Sequence, residues 1–225
     1  MRRRRQARQA RFRWVFGRTR WPAKLIASQA GMAAITPRAA RIVDLIELGP
    51  GRRYLDVGCG TASYAHLLAA RAKSDEPPVT MDLVGGPGPV DLIGSPEKLP
   101  FADASFDCVT SLYYIRRWDD DVVHSFGFEL RRILAPGGAA LVMEVAPVRA
   151  RWLNALHRKV MSAGCGQVDL RGWGRMAALF TEAGFDAIDL VNVGPFLLPP
   201  VPRVGVLLRV RGEEGRTTET ATTEP

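Results

Sequence analysis

One segment constrains the fold of this chain more than any other: an apolar stretch that runs into a glycine loop and then into a helical pattern. It reads RRYLDVGCGTASYAHLLAARA and occupies residues 52–72. The first part predicts a short strand, and the last part, with Leu67 and Leu68 at helical intervals, predicts a helix. Between them lie Gly58 and Gly60, whose missing Cβ permits a tight turn and lets a ligand lie against the main chain. The segment therefore predicts the opening of an α/β unit.

The rest of the chain alternates in the same way. Apolar residues at helical spacing predict further helices at 37–48, 119–134, 150–163 and 172–185. The predicted strands are PVTMDLV, VDLIG, FDCVTSLYY, AALVMEVAP, DAIDLVNVG and VPRVGVLLRV. Continuous apolar runs such as FDCVTSLYY are typical of parallel strands covered on both faces. The pattern predicts one α/β domain.

Two carboxylates flank the glycine loop. Asp56 precedes it, and Asp82 ends the next predicted strand, 24 residues after Gly58. An acid at that position binds the ribose hydroxyls in dinucleotide sites. Such sites usually carry a third glycine, however, and Ser63 stands there in this chain. The pattern therefore favours a nucleoside without phosphates, such as S-adenosylmethionine, over a dinucleotide.

Positive charge is concentrated at the amino terminus. Residues 1–24 contain nine Arg, one Lys and no acid, so that with a formal net charge of +8 the remainder carries −2. Interleaved aromatic residues suit contact of residues 1–21 with an anionic membrane or with nucleic acid; a disordered soluble arm is the alternative. We expect a flexible basic arm at 1–24, one domain at 25–211 and a disordered polar tail at 212–225.

The sequence shows neither a secretory signal pattern nor an apolar run of about 18 residues that would span a membrane. Its three cysteines, Cys59, Cys108 and Cys165, lack CxxC or Cys/His metal spacing. These features predict a cytoplasmic protein without a metal, with the arm as a route to peripheral membrane contact.

Three sequence blocks together resemble the successive motifs of class I S-adenosylmethionine-dependent methyltransferases, in particular their small-molecule branch. The blocks are LDVGCGTASYAHLLA with the following Asp82–Leu83 pair, EKLPFADASFDCVTSL, and ELRRILAPGGAALVMEVAP. The resemblance covers roughly residues 38–210. It implies a Rossmann-like three-layer sandwich, with a mostly parallel sheet and an antiparallel C-terminal strand, and S-adenosylmethionine as the cofactor.

The resemblance also implies a set of cofactor-binding residues. The glycine loop would contact the amino-acid part, Asp82 the ribose, Leu83 and the 95–99 segment the adenine, and the end of the fourth strand the sulfonium. In full these residues are Asp56, Gly58, Cys59, Gly60, Thr61, Asp82, Leu83, Ser95, Pro96, Glu97, Leu99, Ser111 and Leu112. For the three leucines, packing in the core is equally consistent.

Two positions depart from the family pattern. Ser95 replaces the acid that would bind the adenine amino group, and a neutral acceptor is weaker by roughly 1 kcal/mol. After the fourth strand, SLYYIRRW places Tyr113 and an Arg–Arg pair where many relatives have an acid followed by Glu-His. The catalytic residues are therefore unassigned, and the weak candidates for a general base are Tyr113, Tyr114, Glu144 and His157. Four arginines lie near the predicted strand ends: Arg116, Arg117, Arg149 and Arg151. They would either bind an anionic acceptor or face solvent.

The stretch LVGGPGP, residues 83–89, is too short for the helix that the family places between its second and third strands. Seven extended residues reach ~23 Å, enough to return along a four-residue strand of ~13 Å. Parallel pairing normally needs a dozen or more linking residues, so we expect a rudimentary third strand or one that pairs otherwise. Asp91, which follows this stretch, is expected to have no role in cofactor binding.

Together these features predict a methyltransferase that uses S-adenosylmethionine to methylate a small-molecule or lipid-like acceptor. Two alternatives remain open at the level of sequence. One is an RNA methyltransferase that grips its substrate with the basic arm. The other is a methyltransferase-like scaffold that has lost catalysis, which Ser95 and the altered run after the fourth strand would explain.

Overall fold

The computed structural model describes residues 38–83, 90–162, 168–193 and 203–212. The basic arm, the 84–89 part of the crossover, Cys165 and the tail from residue 213 lie outside the described residues. In chain order the elements are α1 (38–45), β1 (Tyr54–Val57), α2 (Ser63–Ala72), β2 (Val79–Asp82), β3 (Leu92–Ile93), β4 (Phe106–Leu112), a 3₁₀ turn (Ile115–Arg117), α3 (Asp120–Ile133), β5 (Leu134–Val145), α4 (Arg151–Ser162), α5 (Trp173–Thr181), β6 (Ala187–Val191) and β7 (Arg203–Arg209).

The seven strands form one sheet in the order β3-β2-β1-β4-β5-β7-β6. Neighbours among β1 to β5 pair in parallel, whereas β7 is antiparallel to both β5 and β6. The carboxyl ends of the parallel strands therefore meet along one side of the sheet, here called the carboxyl edge. Because Val145 pairs with Arg203, the start of β7 lies at this edge as well. The predicted parallel sheet with an antiparallel C-terminal strand is confirmed.

Helices cover both faces of the sheet, because side chains along each strand alternate between two cores. On one face Leu55 and Val57 of β1 pack with the buried stripes of α3 and α5, which include Phe126 and Phe180. On the other face Tyr54 packs with Ile42 of α1, with Ile46 just after α1, and with Ala65 and Leu68 of α2. Strands covered on both faces are apolar throughout, which explains the continuous apolar runs in the sequence. The result is the predicted three-layer sandwich.

The third strand has two residues and pairs in parallel with β2, Met81 with Leu92 and Asp82 with Ile93. A side chain reinforces this short ladder: the Asp91 Oδ2 atom accepts hydrogen bonds from the Thr80 N–H and hydroxyl, both at 2.8 Å. The expectation of a rudimentary strand is confirmed. Asp91, predicted to have no cofactor role, has a structural one, because it connects the segment that leads into β3 to strand β2.

Helix α3 falls within the predicted 119–134 segment. The Asp119 carboxylate caps it by accepting from the Val122 N–H at 3.2 Å, and acidic residues follow in its first turn. The helix ends at Ile133 and β5 begins at the next residue. The APGG sequence lies inside β5, so the strand begins earlier than the predicted AALVMEVAP segment, and Gly137 adopts a φ of 76° that favours glycine.

Candidate functional site

The glycine loop folds back over the end of β2. The Gly58 N–H donates to the Met81 carbonyl at 2.7 Å, and the Gly60 N–H donates to Asp82 Oδ2 at 2.9 Å. The φ angles of the two glycines are 81° and 58°, values that L side chains rarely adopt. A Cβ at Gly58 would overlap the Tyr114 ring, whereas a Cβ at Gly60 would meet open space. The Tyr114 ring therefore covers the loop at Gly58, whereas the space beside Gly60 is empty.

Helix α2 begins directly behind this loop. Its N-cap residue, Ala62, has a φ of 60° and makes no side-chain hydrogen bond to the helix. The N–H groups of an uncapped first turn carry partial positive charge and need an external partner. The carboxylate of an amino-acid ligand suits such a position.

Asp82 is buried at the carboxyl end of β2. Its Oδ2 atom accepts from Gly60, and its Oδ1 atom accepts from the Leu83 N–H at 2.6 Å. Each carboxylate oxygen retains a second lone pair and can accept one more hydrogen bond. The structure thus brings Asp82, Leu83 and the glycine loop together, with spare acceptors for the two hydroxyls of a ribose.

Asp56 lies at the other side of the loop and is buried with its hydrogen-bond partners. The Tyr54 hydroxyl lies 2.7 Å from Thr110 Oγ1, which in turn donates to Asp56 Oδ1 at 2.6 Å. Burial raises the pKa of Asp56 to about 7, although the Thr110 hydrogen bond opposes that shift. Asp56 is therefore a carboxyl group whose protonated form is favoured by its surroundings, next to a loop that approaches Asp82.

The fourth strand ends beside this loop with Ser111 and Leu112. The Ser111 hydroxyl is buried and has no hydrogen-bond partner within the part of the chain that the structure describes. A buried, unsatisfied hydroxyl is costly, because it has lost water without gaining another partner. Ser111 is the next-to-last residue of β4, so this unsatisfied atom lies at the strand end where the sulfonium end of the cofactor was predicted.

The segment predicted to border the adenine forms a tight turn after β3. The Ser95 hydroxyl accepts a hydrogen bond from the Glu97 N–H at 3.3 Å. Pro96 is buried and Glu97 is exposed. Leu99 is part of the core, and its N–H donates to Glu129 Oε2 at 2.7 Å. The Ser95 hydroxyl thus stabilises its own turn, and Leu99 is packed in the core as well as predicted to meet the adenine.

Neither tyrosine candidate is a ready base. Burial raises the pKa of Tyr113 to about 12 and that of Tyr114 still further, so both are protonated at neutral pH. Tyr114 lies against Gly58 and forms an edge-to-face pair with Trp118. Burial also raises the pKa of the Cys59 thiol to about 12, which leaves it un-ionised. Tyr114 therefore covers the glycine loop, and Cys59 is not an activated nucleophile.

Glu144 is buried on β5 and held by Arg116. Its Oε1 atom accepts from the Arg116 N–H at 3.0 Å, and its Oε2 atom lies 3.5 Å from the Arg116 guanidinium. The same guanidinium donates to the Tyr113 carbonyl. Burial raises the pKa of Glu144, and the charge of Arg116 opposes the shift. In this arrangement Glu144 anchors the turn that follows β4.

Tyr113 lies between two guanidinium groups at the carboxyl edge. The Arg116 and Arg203 guanidinium carbons lie 5.8 Å and 5.9 Å from the centre of its ring, within the range of cation–π contact. Burial lowers the pKa of Arg203. Tyr113 also packs against a small apolar cluster of Val145, Val168 and Leu170. Arg203 was missed at the sequence level, because nothing in VPRVGVLLRV distinguishes an arginine at a strand start from a surface residue.

The remaining predicted residues are spread more widely. His157 is buried on the inner face of α4, and its Nδ1 atom has no hydrogen-bond partner among the described residues. Arg149 and Arg151 are exposed, whereas Arg116 is partly buried at the carboxyl edge. Arg117 is partly buried as well, so the four arginines differ in their exposure.

Arg171 makes buried contacts with the turn after β4, and it was also missed at the sequence level. Its guanidinium, 1% exposed, donates to Asp120 Oδ1 at 2.8 Å and to the carbonyls of Ile115 and Trp118 at 3.1 Å and 2.6 Å. Partial burial raises the pKa of Asp120, but the hydrogen bonds from Arg171 and Arg175 hold it below its usual value. The bonds join the segment before α5 to the turn after β4. The surrounding sequence, VDLRGWG, carries no motif that would have revealed them.

Among the described residues, no group of His, Cys, Asp or Glu side chains has a geometry that would hold a metal ion. Within the same residues no helix has the length and apolar character needed to cross a membrane. The two described cysteines, Cys59 and Cys108, are both free thiols.

Residues 55–142 match the family model described as a methyltransferase domain. The chain is 29% identical over 196 residues to the methyltransferase GfsG of Streptomyces halstedii, which covers 78% of this chain and 69% of that protein. It is 32% identical over 120 residues to the demethylmenaquinone methyltransferase of Deinococcus radiodurans, which covers 48% of each protein. Among solved structures, human N-acetylserotonin methyltransferase in complex with SAM has a TM-score of 0.57 at 14% identity, covering 80% of this chain and 52% of that one.

The sheet order is that of the Rossmann-like fold, and residues 55–142 match a methyltransferase domain. Together with the curated relatives, this match supports a class I S-adenosylmethionine-dependent methyltransferase. The chain spans about half the length of the quinone methyltransferase that it matches. At 14% identity, the similarity to the solved structure shows a common fold.

Proposed function

We propose that this chain binds S-adenosylmethionine at the glycine loop and transfers its methyl group to a small, largely apolar acceptor at the carboxyl edge. One observation carries the proposal: the Gly60 N–H holds Asp82 at the end of β2, beside an uncapped helix start. This arrangement offers acceptors for a ribose and N–H groups for a carboxylate. A nucleoside that carries an amino-acid chain presents both groups.

Different residues would bind the different parts of this cofactor. The open space at Gly60 and the start of α2 would receive the amino-acid part, and Asp82 would accept the ribose hydroxyls. The unsatisfied Ser111 hydroxyl would gain a polar partner. When bound, the cofactor supplies an electrophilic methyl group on a sulfonium. The protein needs to hold the acceptor in line with it, since orientation alone removes a large part of the barrier.

The acceptor side combines apolar packing with positive charge. Val145, Val168 and Leu170 supply an apolar wall next to Tyr113, and Arg203 lies against the ring of that tyrosine. A guanidinium beside an acceptor hydroxyl favours its ionised, more nucleophilic form. An aromatic alcohol or quinol combines an apolar body with such an oxygen. The relative named for demethylmenaquinone makes that quinone, in its reduced form, the first acceptor to test.

A general base is needed only where the acceptor must lose a proton during transfer. Both carboxylate oxygens of Glu144 interact with Arg116, so we assign Glu144 to positioning the turn after β4. His157 is buried with an unsatisfied ring nitrogen, which leaves it as the candidate for proton removal. His157→Gln should lower kcat about 100-fold, whereas Glu144→Gln should lower kcat less than about 10-fold.

Isothermal titration calorimetry tests the cofactor assignment on the purified chain. We expect heat of binding with S-adenosylmethionine and with its demethylated product, and none with NAD. Binding of NAD alone would overturn the proposal. Absence of heat with both methylated and demethylated cofactor would indicate a scaffold that has lost catalysis.

Transfer of a radiolabelled methyl group tests the acceptor separately. Reduced demethylmenaquinone should be labelled, and a mixed-sequence RNA should not. Labelling of the RNA, lost when residues 1–21 are deleted, would replace the small-molecule acceptor by nucleic acid. Cofactor binding without labelling of either would contradict the acceptor class and leave the cofactor site intact.

A further inference from the structure

Helix α4 exposes an unusually apolar and basic face. Trp152 is 71% exposed and Leu156 is 47% exposed, and the two are four residues apart on the helix. The exposed positions also include Arg151, Ala155, Arg158 and Lys159. Residues at three-, four- and seven-residue spacings share one side of a helix, so these six residues form a continuous surface, here called the α4 face. His157 is buried on the opposite side.

All the charged side chains in the sequence around the α4 face are positive. Between Glu144 and Asp169 the sequence contains no acidic residue, and it contains Arg149, Arg151, Arg158 and Lys159. An exposed tryptophan flanked by arginine and lysine is the composition of helices that lie in the interface of a membrane. Each cation near an anionic surface adds about 1 kcal/mol of attraction.

We propose that the α4 face docks on an anionic lipid surface, with Trp152 and Leu156 inserted at the level of the lipid headgroups. Helix α4 begins six residues after β5 ends at Val145, so it lies beside the carboxyl edge of the sheet. Docking there brings the acceptor side of the site to the membrane. That consequence rests on the proposed function, whereas lipid binding by the α4 face does not.

The apolar content of the α4 face favours lipid over the other occupants. Nucleic acid would be bound through phosphates and would gain little from an exposed leucine. A second copy of the chain would present the same basic surface, and like charges disfavour such a pair in the absence of interleaved acids. An anionic bilayer satisfies both the cations and the apolar side chains.

Sedimentation with vesicles tests the proposal on the full chain. The vesicles contain phosphatidylcholine with phosphatidylglycerol, or phosphatidylcholine alone. Arg151→Glu combined with Arg158→Glu should lower partitioning on the anionic vesicles about tenfold or more. The matched control, Arg71→Glu with Lys73→Glu, makes the same charge change at the far end of α2 and should change it less than about threefold.

Fluorescence quenching separates the α4 face from the basic arm. Brominated phosphatidylcholine in the anionic vesicles should quench Trp152, so the Trp152→Phe variant should lose a defined part of the quenching. Trp14 and Trp21 of the arm are present in both proteins and cancel in the difference. Calorimetry with S-adenosylmethionine on the same variant checks that it is folded and that the cofactor site is unaffected.

Quenching that is identical in the two proteins would overturn the proposal. So would a charge-reversal variant that loses affinity for a mixed-sequence RNA while its vesicle partitioning is unchanged, because that result would assign the α4 face to nucleic acid. Sedimentation velocity tests the third possible occupant, a second copy of the chain. A dimer that dissociates in the double variant Trp152→Ala, Leu156→Ala would assign the surface to self-association, provided that vesicles do not quench Trp152.

Discussion

The two halves of the site are built by different means. The proposed cofactor side, here called the cofactor half, lies at the ends of β1 and β2 and is built mostly of main chain: two glycines with positive φ, one of which donates its N–H to the Asp82 carboxylate. The proposed acceptor side, here called the acceptor half, lies at the ends of β4, β5 and β7 and is built of side chains that meet from distant parts of the sequence. Arg171 and the Glu144–Arg116 pair hold it in shape.

The difference determines how much of each half can be recognised in the sequence. A main-chain cradle needs particular residues at fixed spacing, because only glycine reaches those angles at low cost. A side-chain framework can be built from many combinations of residues, provided that each buried charge is paired. The cofactor half is therefore visible as a motif, whereas the acceptor half has no fixed sequence pattern.

The largest expected effect concerns the framework of the acceptor half. Arg171→Leu leaves Asp120 and two carbonyls without their buried partner, and we expect the free energy of unfolding to fall by about 3–5 kcal/mol. Arg175→Leu is the matched control, since Arg175 also binds Asp120 but is about half exposed, and it should cost less than about 1 kcal/mol. Urea denaturation measures both. Similar losses would mean that burial of Arg171 is not what matters.

A second prediction concerns Asp56 and pH. Its pKa rises from 3.8 to about 7 on folding, so the unfolded state ionises first and the stability due to the protonated carboxyl is lost as the pH rises from about 4 to about 7. The shift corresponds to a loss of roughly 4 kcal/mol at most. Asp56→Asn keeps an acceptor for Thr110 and should remove this decline. A pH–stability curve that keeps its slope in the variant would contradict the assignment.

The main-chain character of the cofactor half is tested by its glycines. Gly58→Ala combines an unfavourable φ with overlap on the Tyr114 ring, and we expect a loss of about 2–4 kcal/mol of stability and no measurable cofactor binding. Gly60→Ala meets open space and should cost about 1 kcal/mol. Thermal unfolding with and without S-adenosylmethionine distinguishes the two. Equal effects would indicate that the Tyr114 contact is unimportant.

The two aspartates of the β2–β3 region should separate binding from folding. Asp82→Ala should weaken binding of S-adenosylmethionine about 30- to 100-fold, because two charge-assisted hydrogen bonds are lost. Asp91→Ala should weaken binding much less and lower the melting temperature instead, since Asp91 binds Thr80. Calorimetry and thermal unfolding on both variants give the comparison. Equal losses of affinity would mean that the ribose has been assigned to the wrong carboxylate.

The smallest expected effect concerns the two arginines of β7. Arg203 lies at the carboxyl edge beside Tyr113, whereas Arg209, at the other end of the strand, is bound to Glu47. Arg203→Met should lower kcat/KM for a phenolic or quinol acceptor about tenfold and leave cofactor affinity unchanged. Arg209→Met should leave both unchanged. A loss of cofactor affinity in Arg203→Met would move this residue into the cofactor half.

The sequence predicted most of the fold, including the glycine loop and the strand that ends beside it. The glycine loop, the strand that ends in Asp82 and the two-faced apolar strands are local patterns, and the sheet follows from them because parallel strands must be covered on both faces. The short return between β2 and β3 was expected to be rudimentary, and its two residues confirm this. The part played by Asp91 was not foreseen, since a hydrogen bond to Thr80 has no signature in the residues around it.

What the sequence determined by itself was the class of fold and the main-chain cradle, because glycine angles, strand periodicity and helix caps act over a few residues. What only the tertiary structure decided was the acceptor half. There, Arg171 meets Asp120 across 51 positions, Arg116 meets Glu144 across 28, and Tyr113 meets Arg203 from the opposite end of the domain. Such pairs depend on sheet register and on burial, which raises the cost of any unpaired charge, and neither can be read from neighbouring residues.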